Sequence, residues 1–171
     1  MILWFIGLSG SGKTTLGREV YDRLKTRHAN TVFLDGDELR AVFAADRDKD
    51  AYTVAGRRRN AERITALCEM LDRQGIHVVC CILSLFPDMQ AANRTRFSRY
   101  FEVFMDAPIE VLQARDVKGL YARAARGEAG EVVGIDIPFP RPEHPDMVIA
   151  SSGDTPDLAK LAEQIIARAA L

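Results

Sequence analysis

Residues 7–14, Gly7-Leu8-Ser9-Gly10-Ser11-Gly12-Lys13-Thr14, follow the pattern Gly, any four residues, Gly, Lys, Thr. Glycines open backbone conformations closed to other residues and let the chain approach a phosphate closely. The N–H groups of such a loop converge on phosphate oxygens at the start of a helix, where the dipole also favours an anion. Gly10, Ser11, Gly12, Lys13, Thr14 and Thr15 are therefore candidate nucleotide-binding residues. In this arrangement Lys13 reaches the β- and γ-phosphates and the Thr14 hydroxyl ligates Mg²⁺. The loop points to a bound nucleoside triphosphate and leaves open what is done with it. Two further groups carry charge where chemistry needs it. Asp35-Gly36-Asp37 places two carboxylates at the end of an apolar run, and Arg57-Arg58-Arg59 with Asn60 and Arg63 crowds cations together. Guanidinium matches phosphate bidentately, so some of these arginines are candidates to clamp an anionic substrate while the others form a solvated face. Asp35 and Asp37 are read as functional carboxylates or, alternatively, as an aspartate-rich turn capping the following helix, with the phosphate loop favouring the former and Asp37 suited to both.

These residues need a scaffold. Ile2-Leu3-Trp4-Phe5-Ile6 reads as a first strand, and Leu16, Val20 and Leu24 recur at helical spacing from about Lys13 to Arg27. Strand, glycine loop and helix form the context the motif requires. Thr31 to Leu34 is a second strand running into Asp35. Residues 38–45 read as a helix, and Asp46 to Asp50 as a charged connection. Val54 to Gln74 is a long helix with Ile64, Leu67, Cys68 and Leu71 on one face, ended by Gly75. Ile76 to Leu83 is almost continuously apolar, as in a central parallel strand, and leads to Ser84-Leu85-Phe86-Pro87. The spacing then predicts a helix over 88–98, a strand from Tyr100 to Met105 and a mostly helical stretch over 109–125. Gly127 to Pro145 is a long connection of the kind that often carries function. Met147 to Ile149 is a fifth strand, and Pro156 to Leu171 a closing helix capped by Asp154 or Thr155. The alternation predicts an α/β fold, a five-stranded parallel sheet with helices on both faces. That three-layer architecture is the one of the small-molecule P-loop kinases. All 171 residues form a single domain, with a lid over about residues 115–140.

Composition excludes several classes. A net charge of −1 exerts no global pull on nucleic acid or a membrane surface. No run of apolar residues is long enough to span a bilayer, and the N-terminus lacks a signal peptide's basic start. A cytoplasmic location is expected. Cys68, Cys80 and Cys81 have no metal-ligand spacing and read as small apolar filler in a reducing compartment. Cys80 and Cys81, adjacent on a strand, should point to opposite faces. His28, His77 and His144 form no cluster.

Several stretches together resemble the adenosine 5′-phosphosulfate (APS) kinases. They are the loop through Thr15, Leu34-Asp35-Gly36-Asp37 with Arg40, and Arg57-Arg58-Arg59-Asn60 with Arg63-Ile64. Most specific is Arg115-Asp116-Val117-Lys118-Gly119-Leu120-Tyr121, followed by Gly134-Ile135-Asp136. That family transfers the γ-phosphoryl of ATP to the 3′-hydroxyl of APS with Mg²⁺. The resemblance implies that Lys13 and Thr14 serve ATP and Mg²⁺, and that Asp35 and Asp37 lie beside the accepting hydroxyl. It implies that Arg40, Arg57 and Asn60 hold the acceptor, with Ser84 facing the same pocket. Lys118 and Leu120 then belong to a mobile lid, and Arg115 serves the ATP side. Asp37 is the expected base, Lys13 and Lys118 neutralise the transferred group, and the enzyme is expected to be a homodimer.

The chain departs from the family on the acceptor side. Val132-Val133 replaces Phe-Thr before Gly-Ile-Asp, where the family's Phe stacks on the acceptor adenine. Ser84-Leu85-Phe86-Pro87 lacks the family's arginine, Gly56 replaces an Asp, and Ile137-Pro138-Phe139-Pro140 replaces Pro-Tyr-Glu. Tyr52 corresponds to the family's other stacking aromatic. APS is the first expected acceptor. The alternative is another nucleotide such as cytidine diphosphoramidate, whose smaller base suits a pocket with less stacking area. A small-metabolite kinase and a non-catalytic nucleotide-binding regulator are the remaining readings. The Lys118 run counts against the former, and retention of Asp35, Asp37 and Lys118 against the latter.

Overall fold

A computed structural model of the chain describes residues 1–44, 49–116, 118–150 and 157–171. Along them run β1 (Ile2–Ile6), α1 (Lys13–Arg27), β2 (Thr31–Asp35), α2 (Gly36–Val42), α3 (Val54–Arg73) and β3 (His77–Cys81). There follow α4 (Pro87–Arg96), β4 (Tyr100–Asp106), α5 (Ile109–Arg115), α6 (Leu120–Ala125), β5 (Met147–Ala150) and α7 (Leu158–Arg168). The strands form one parallel sheet in the order β2-β3-β1-β4-β5. β1 thus has β3 on one side and β4 on the other. A reversal of strand order of this kind opens a crevice at the carboxyl ends of the strands, and the glycine loop leaves β1 at that point.

The sheet is buried on both faces, so β1 is apolar throughout instead of alternating. Leu3 and Phe5 pack with Leu16, Val20 and Leu24 of α1 and with Ile165 and Ile166 of α7. Ile2, Trp4 and Ile6 pack on the opposite side with Leu39, Ile64, Cys68 and Phe97. Cys81 belongs to the first cluster and Cys80 to the second, as the strand period requires. All three cysteines are buried and free. Among the described residues, no helix is long and apolar enough to cross a membrane.

Several boundaries differ from the sequence expectation for identifiable reasons. The third strand stops at Cys81 and does not reach Leu83, because its neighbour β2 ends opposite it at Asp35 and turns into α2. The stretch over 109–125 is two helices. Asp116, at φ 26°, breaks them apart, and its carboxylate accepts hydrogen bonds from the Tyr121 and Ala122 N–H groups at the start of α6. Asp157, whose side chain accepts from the Lys160 N–H at 3.0 Å, caps α7. The expected caps Asp154 and Thr155 lie outside the described residues, as do positions 46–48 of the charged connection and Val117.

Gly56, which stands where the resembling family has an Asp, has a steric reason. A Cβ there would lie 2.0 Å from the Asp50 carbonyl oxygen, so the backbone of 50–51 packs directly onto α3. Overpacking of this kind costs about 1–3 kcal/mol, and a chain of this size loses roughly 2–4 °C per kcal/mol. Gly56→Ala is therefore expected to lower Tm by about 2–12 °C in a thermal melt. An unchanged Tm would show that residues 50–51 yield freely.

Candidate active site

The phosphate loop is built by its ends. Gly7 leaves β1 so close to β4 that a Cβ would stand 2.7 Å from the Met105 carbonyl oxygen. Gly12, left-handed at φ 91°, starts α1 without a side-chain cap and with no acidic residue in the first turn. The first N–H groups of α1 are therefore left to an anion in the crevice. Lys13 donates to the Leu8 carbonyl at 2.7 Å. Burial of its ammonium group, reinforced by Lys118, lowers its pKa to about 8 against the pull of Asp37 and Asp35. The Ser11 side chain is buried beneath the loop and does not border the crevice.

Asp35 does two things at once. One carboxylate oxygen caps α2 by accepting the Asp37 N–H at 2.9 Å, and the other accepts the Thr14 hydroxyl at 2.7 Å. One side chain thus both caps a helix and holds the Thr14 hydroxyl of the phosphate loop. Asp37 projects outward instead, and Lys118 Nζ donates to its Oδ2 at 2.5 Å. Burial pushes the Asp37 carboxyl up, but the Lys118 hydrogen bond and the charges of Lys118, Lys13 and Arg40 outweigh it. The net shift is downward. The same contact raises Lys118. Both side chains are largely exposed, so this ion pair is a weak latch.

These groups border a cavity of about 930 Å³, together with Arg40, Tyr52, Arg57, Asn60, Ser84, Leu120 and Val132. The Arg40 and Arg57 guanidiniums lie 4.9 and 5.6 Å from the centre of the Tyr52 ring. Arg40 donates to the Ala51 carbonyl at 2.9 Å, and Arg57 to the Tyr52 carbonyl at 2.7 Å and to the Glu131 carbonyl at 2.9 Å. These partners are neutral carbonyls, so the two cations still face each other. Burial, and then the charge of Arg40, lower the pKa of Arg57. An anion placed there would offset the downward shift by its opposite charge. Of the arginine cluster, Arg58 pairs with Asp88 at 2.8 Å and Arg59 with Asp50. Of residues 57–60 and 63, only Arg57 and, one turn on, Asn60 line the cavity. Asn60 is 5% exposed, and its Oδ1 has no hydrogen-bond partner among the described residues. Such an orphaned acceptor is poised for a ligand donor.

The long connection after α6 supplies the far wall. Val132 and Val133 are buried in two separate apolar clusters, the second shared with Leu85 and Phe86. No aromatic ring stands at 132. Arg115 lies in a small recess beside Ser9, Gly10 and Tyr121. The Tyr121 hydroxyl donates to the Ser9 carbonyl at 2.9 Å, tying α6 to the phosphate loop. Sequence reasoning assigned no role to Tyr121, although the residue sits inside the Lys-Gly-Leu-Tyr run it had singled out.

A phosphate loop at a sheet's switch point, with paired carboxylates and a lysine across the crevice, defines a P-loop kinase. The comparisons with known proteins are consistent with that class and narrow it. A family model described as adenylylsulphate kinase matches residues 1–150. The adenylyl-sulfate kinase of Halothermothrix orenii is 35% identical over 153 residues, 90% of this chain and 81% of the relative. The cytidine diphosphoramidate kinase of Campylobacter jejuni is 38% identical over 170 residues, 99% of this chain and 96% of the relative. The Mycobacterium tuberculosis APS kinase, solved in complex with AMPPNP and APS, superposes with a TM-score of 0.85 at 31% identity, covering 99% of this chain and 97% of that one. The chain belongs to the adenylylsulphate kinase family and is a phosphotransferase.

Proposed function

We propose that the protein is an ATP-dependent kinase that phosphorylates the 3′-hydroxyl of a nucleotide, with adenosine 5′-phosphosulfate as the acceptor. The observation that carries the proposal is the placement of Asp37 and Lys118 between two cationic ends of one cavity. One end is the phosphate loop with Lys13, and the other is the Arg40–Tyr52–Arg57 group with its two guanidiniums. Support for the nucleotides comes from the Mycobacterium tuberculosis relative, whose complex holds AMPPNP and APS.

In this reading the glycine loop and Lys13 hold the ATP phosphates, and Arg115 supports the same side. Arg40, Arg57 and Asn60 receive the anionic 5′ end and ribose of the acceptor, Tyr52 stacks on its base, and Ser84, Leu120 and Val132 wall the pocket. Asp37 orients the 3′-hydroxyl and accepts its proton late in the transfer, while Lys13 and Lys118 neutralise the charge on the moving group. Thr14 Oγ1 and Asp35 Oδ2, 2.7 Å apart, are the hard oxygen donors that Mg²⁺ takes alongside phosphates and water. Among the described residues no group of three or more His, Cys, Asp or Glu stands ready to hold the ion alone. Bound there, Mg²⁺ would screen the phosphate charge and orient it. We assign the whole chain to one domain whose lid spans about residues 115–140. The cytoplasmic location is supported by the free, buried cysteines, and the homodimer by the family resemblance.

One observation favours a second acceptor. Val132 stands where the resembling family stacks a Phe on adenine, and each base–aromatic stack contributes about 1–3 kcal/mol. A single-ring base loses less from its absence. A cytidine diphosphoramidate kinase, 38% identical, is matched over 96% of its length.

Coupled ADP release with APS, cytidine diphosphoramidate and simple sugar acids separates these readings. Turnover with APS supports the first and turnover with cytidine diphosphoramidate alone the second. Tight ATP binding with no turnover on any acceptor would leave a regulator. With the active acceptor, Tyr52→Ala is expected to raise its KM about 5- to 150-fold, the equivalent of one lost stack, with the KM for ATP unchanged. An unaltered acceptor KM would remove Tyr52 from the pocket.

A further inference from the structure

The wall of the cavity formed by residues 83–86 contains a strained residue, and behind it lies a buried amide with no assigned role. Ser84 has φ 54°, a left-handed conformation uncommon for any residue with a side chain. Gln90, on the first turns of α4, is 6% exposed. A buried amide must find partners, and the Gln90 NH₂ finds both of them in one residue. Nε2 donates to the Ser84 carbonyl at 3.1 Å and to the Ser84 hydroxyl at 3.2 Å. The two donors of one amide thus match the two acceptors of a single serine. The residues that follow Ser84 are Leu85 and Phe86. Both are buried, both border the cavity, and both pack with Val133 from the opposite wall. The direction in which the chain leaves Ser84 therefore decides where this wall stands. The phosphate loop is held by separate contacts, those of Gly7, Thr14 and Tyr121.

We propose that Gln90 is a positioning residue for the acceptor: its amide clamps Ser84 in the left-handed conformation and so sets the Ser84–Phe86 wall against which the acceptor nucleotide lies. The inference rests on the nucleotide-acceptor reading above. Gln90 acts through Ser84 and does not itself touch the substrate. Its effect belongs to acceptor affinity, leaving ATP binding and the chemical step untouched.

The test uses steady-state kinetics of the full chain with whichever nucleotide the wild type phosphorylates. Gln90→Met keeps the length of the side chain and removes both hydrogen bonds. It is expected to raise the acceptor KM about 10-fold, the effect of one to two lost hydrogen bonds, with kcat and the KM for ATP near wild type. A clamp that works through the backbone makes a further prediction, because glycine adopts positive φ without a clamp. The factor lost to Gln90→Met should shrink several-fold when measured in a Ser84→Gly background, whereas a packing role in α4 would cost the same in both. A thermal melt reports folding in every variant, and the KM for ATP reports the integrity of the phosphate loop. Should Gln90→Met fold poorly, Gln90→Glu, which sets a carboxylate against the Ser84 carbonyl, is expected to raise the acceptor KM at neutral pH at least as far. An unchanged acceptor KM, an equal rise in both KM values, or additivity with Ser84→Gly overturns the proposal alone. A wild type inactive on every nucleotide overturns the functional reading, and this inference with it.

Discussion

Asp37→Asn is expected to lower kcat by about 10²- to 10⁴-fold, the range over which a positioned proton acceptor contributes, with little change in ATP affinity. The substitution preserves shape and removes charge, so the hydroxyl is still oriented but its proton has no anionic destination. Lys118, which donates to Asp37 at 2.5 Å, loses its ion-pair partner as well. Asp37 is held below its ordinary value. A carboxylate shifted this way stays ionised down through mildly acidic pH and takes up a proton only below the usual Asp range. The wild-type kcat should therefore show no acid limb from Asp37 until the pH falls below that range. The stabilisation that goes with the ion pair is likewise present above the ordinary Asp value and lost as pH falls through the depressed one. Near-normal turnover by the Asn variant would refute the assignment and move the role to Asp35.

Lys13→Met is the second large effect. If Lys13 neutralises the transferred phosphoryl as proposed, removing its charge should cost about 10²- to 10³-fold in kcat, as loss of a preorganised charge-stabilising donor does elsewhere, and should weaken ATP binding. The pH dependence gives this residue a signature of its own. Burial lowers Lys13 from 10.5 to about 8, so between these values the unfolded chain carries a proton there that the folded chain has released. Where the unfolded state binds more protons, stability rises with pH. The nucleotide-free protein should therefore gain stability from Lys13 across that window. ATP needs the charged form, so its affinity should fall across the same window. A Tm that rises across that window without ATP but stays flat with saturating ATP, where the gain in stability and the loss in affinity cancel, is the expected result in thermal melts, with the rise removed in Lys13→Met. Parallel slopes in the two proteins would show that another group is responsible.

Much of the site was legible because its determinants are local. The phosphate loop combines glycines, a lysine and a hydroxyl at fixed spacing, and the helix that follows has buried residues one turn apart. The inward pair Arg57 and Asn60 follows from helical geometry, since residues three apart share a face. Arg58 and Arg59 fall on other faces and meet Asp88 and Asp50. Strand ends were less legible. Nothing near Cys81 reveals that the third strand stops there, because the reason lies in β2, where the partner chain turns away. The break at Asp116 was missed for a related reason. The residue is compatible with a helix until its carboxylate turns to cap the next one.

The sequence by itself determined the class of the sheet, the phosphate loop, the candidate carboxylates and lysines, and the family, including the altered position at Val132. Each depends on residue type, period or spacing along the chain. Only the tertiary structure decided that Asp35 serves Thr14 and α2 together, that Asp37 meets Lys118, and that Gln90 clamps Ser84. The same holds for Arg57 and Tyr121, which tie the long connection after α6 to α3 and α6 to the phosphate loop through the Glu131 and Ser9 carbonyls. Most of these contacts join residues far apart in sequence, and even the local ones depend on the paths of the loops after β3 and α6. Such paths are set by what each wall packs against, a property that no local pattern of residues encodes.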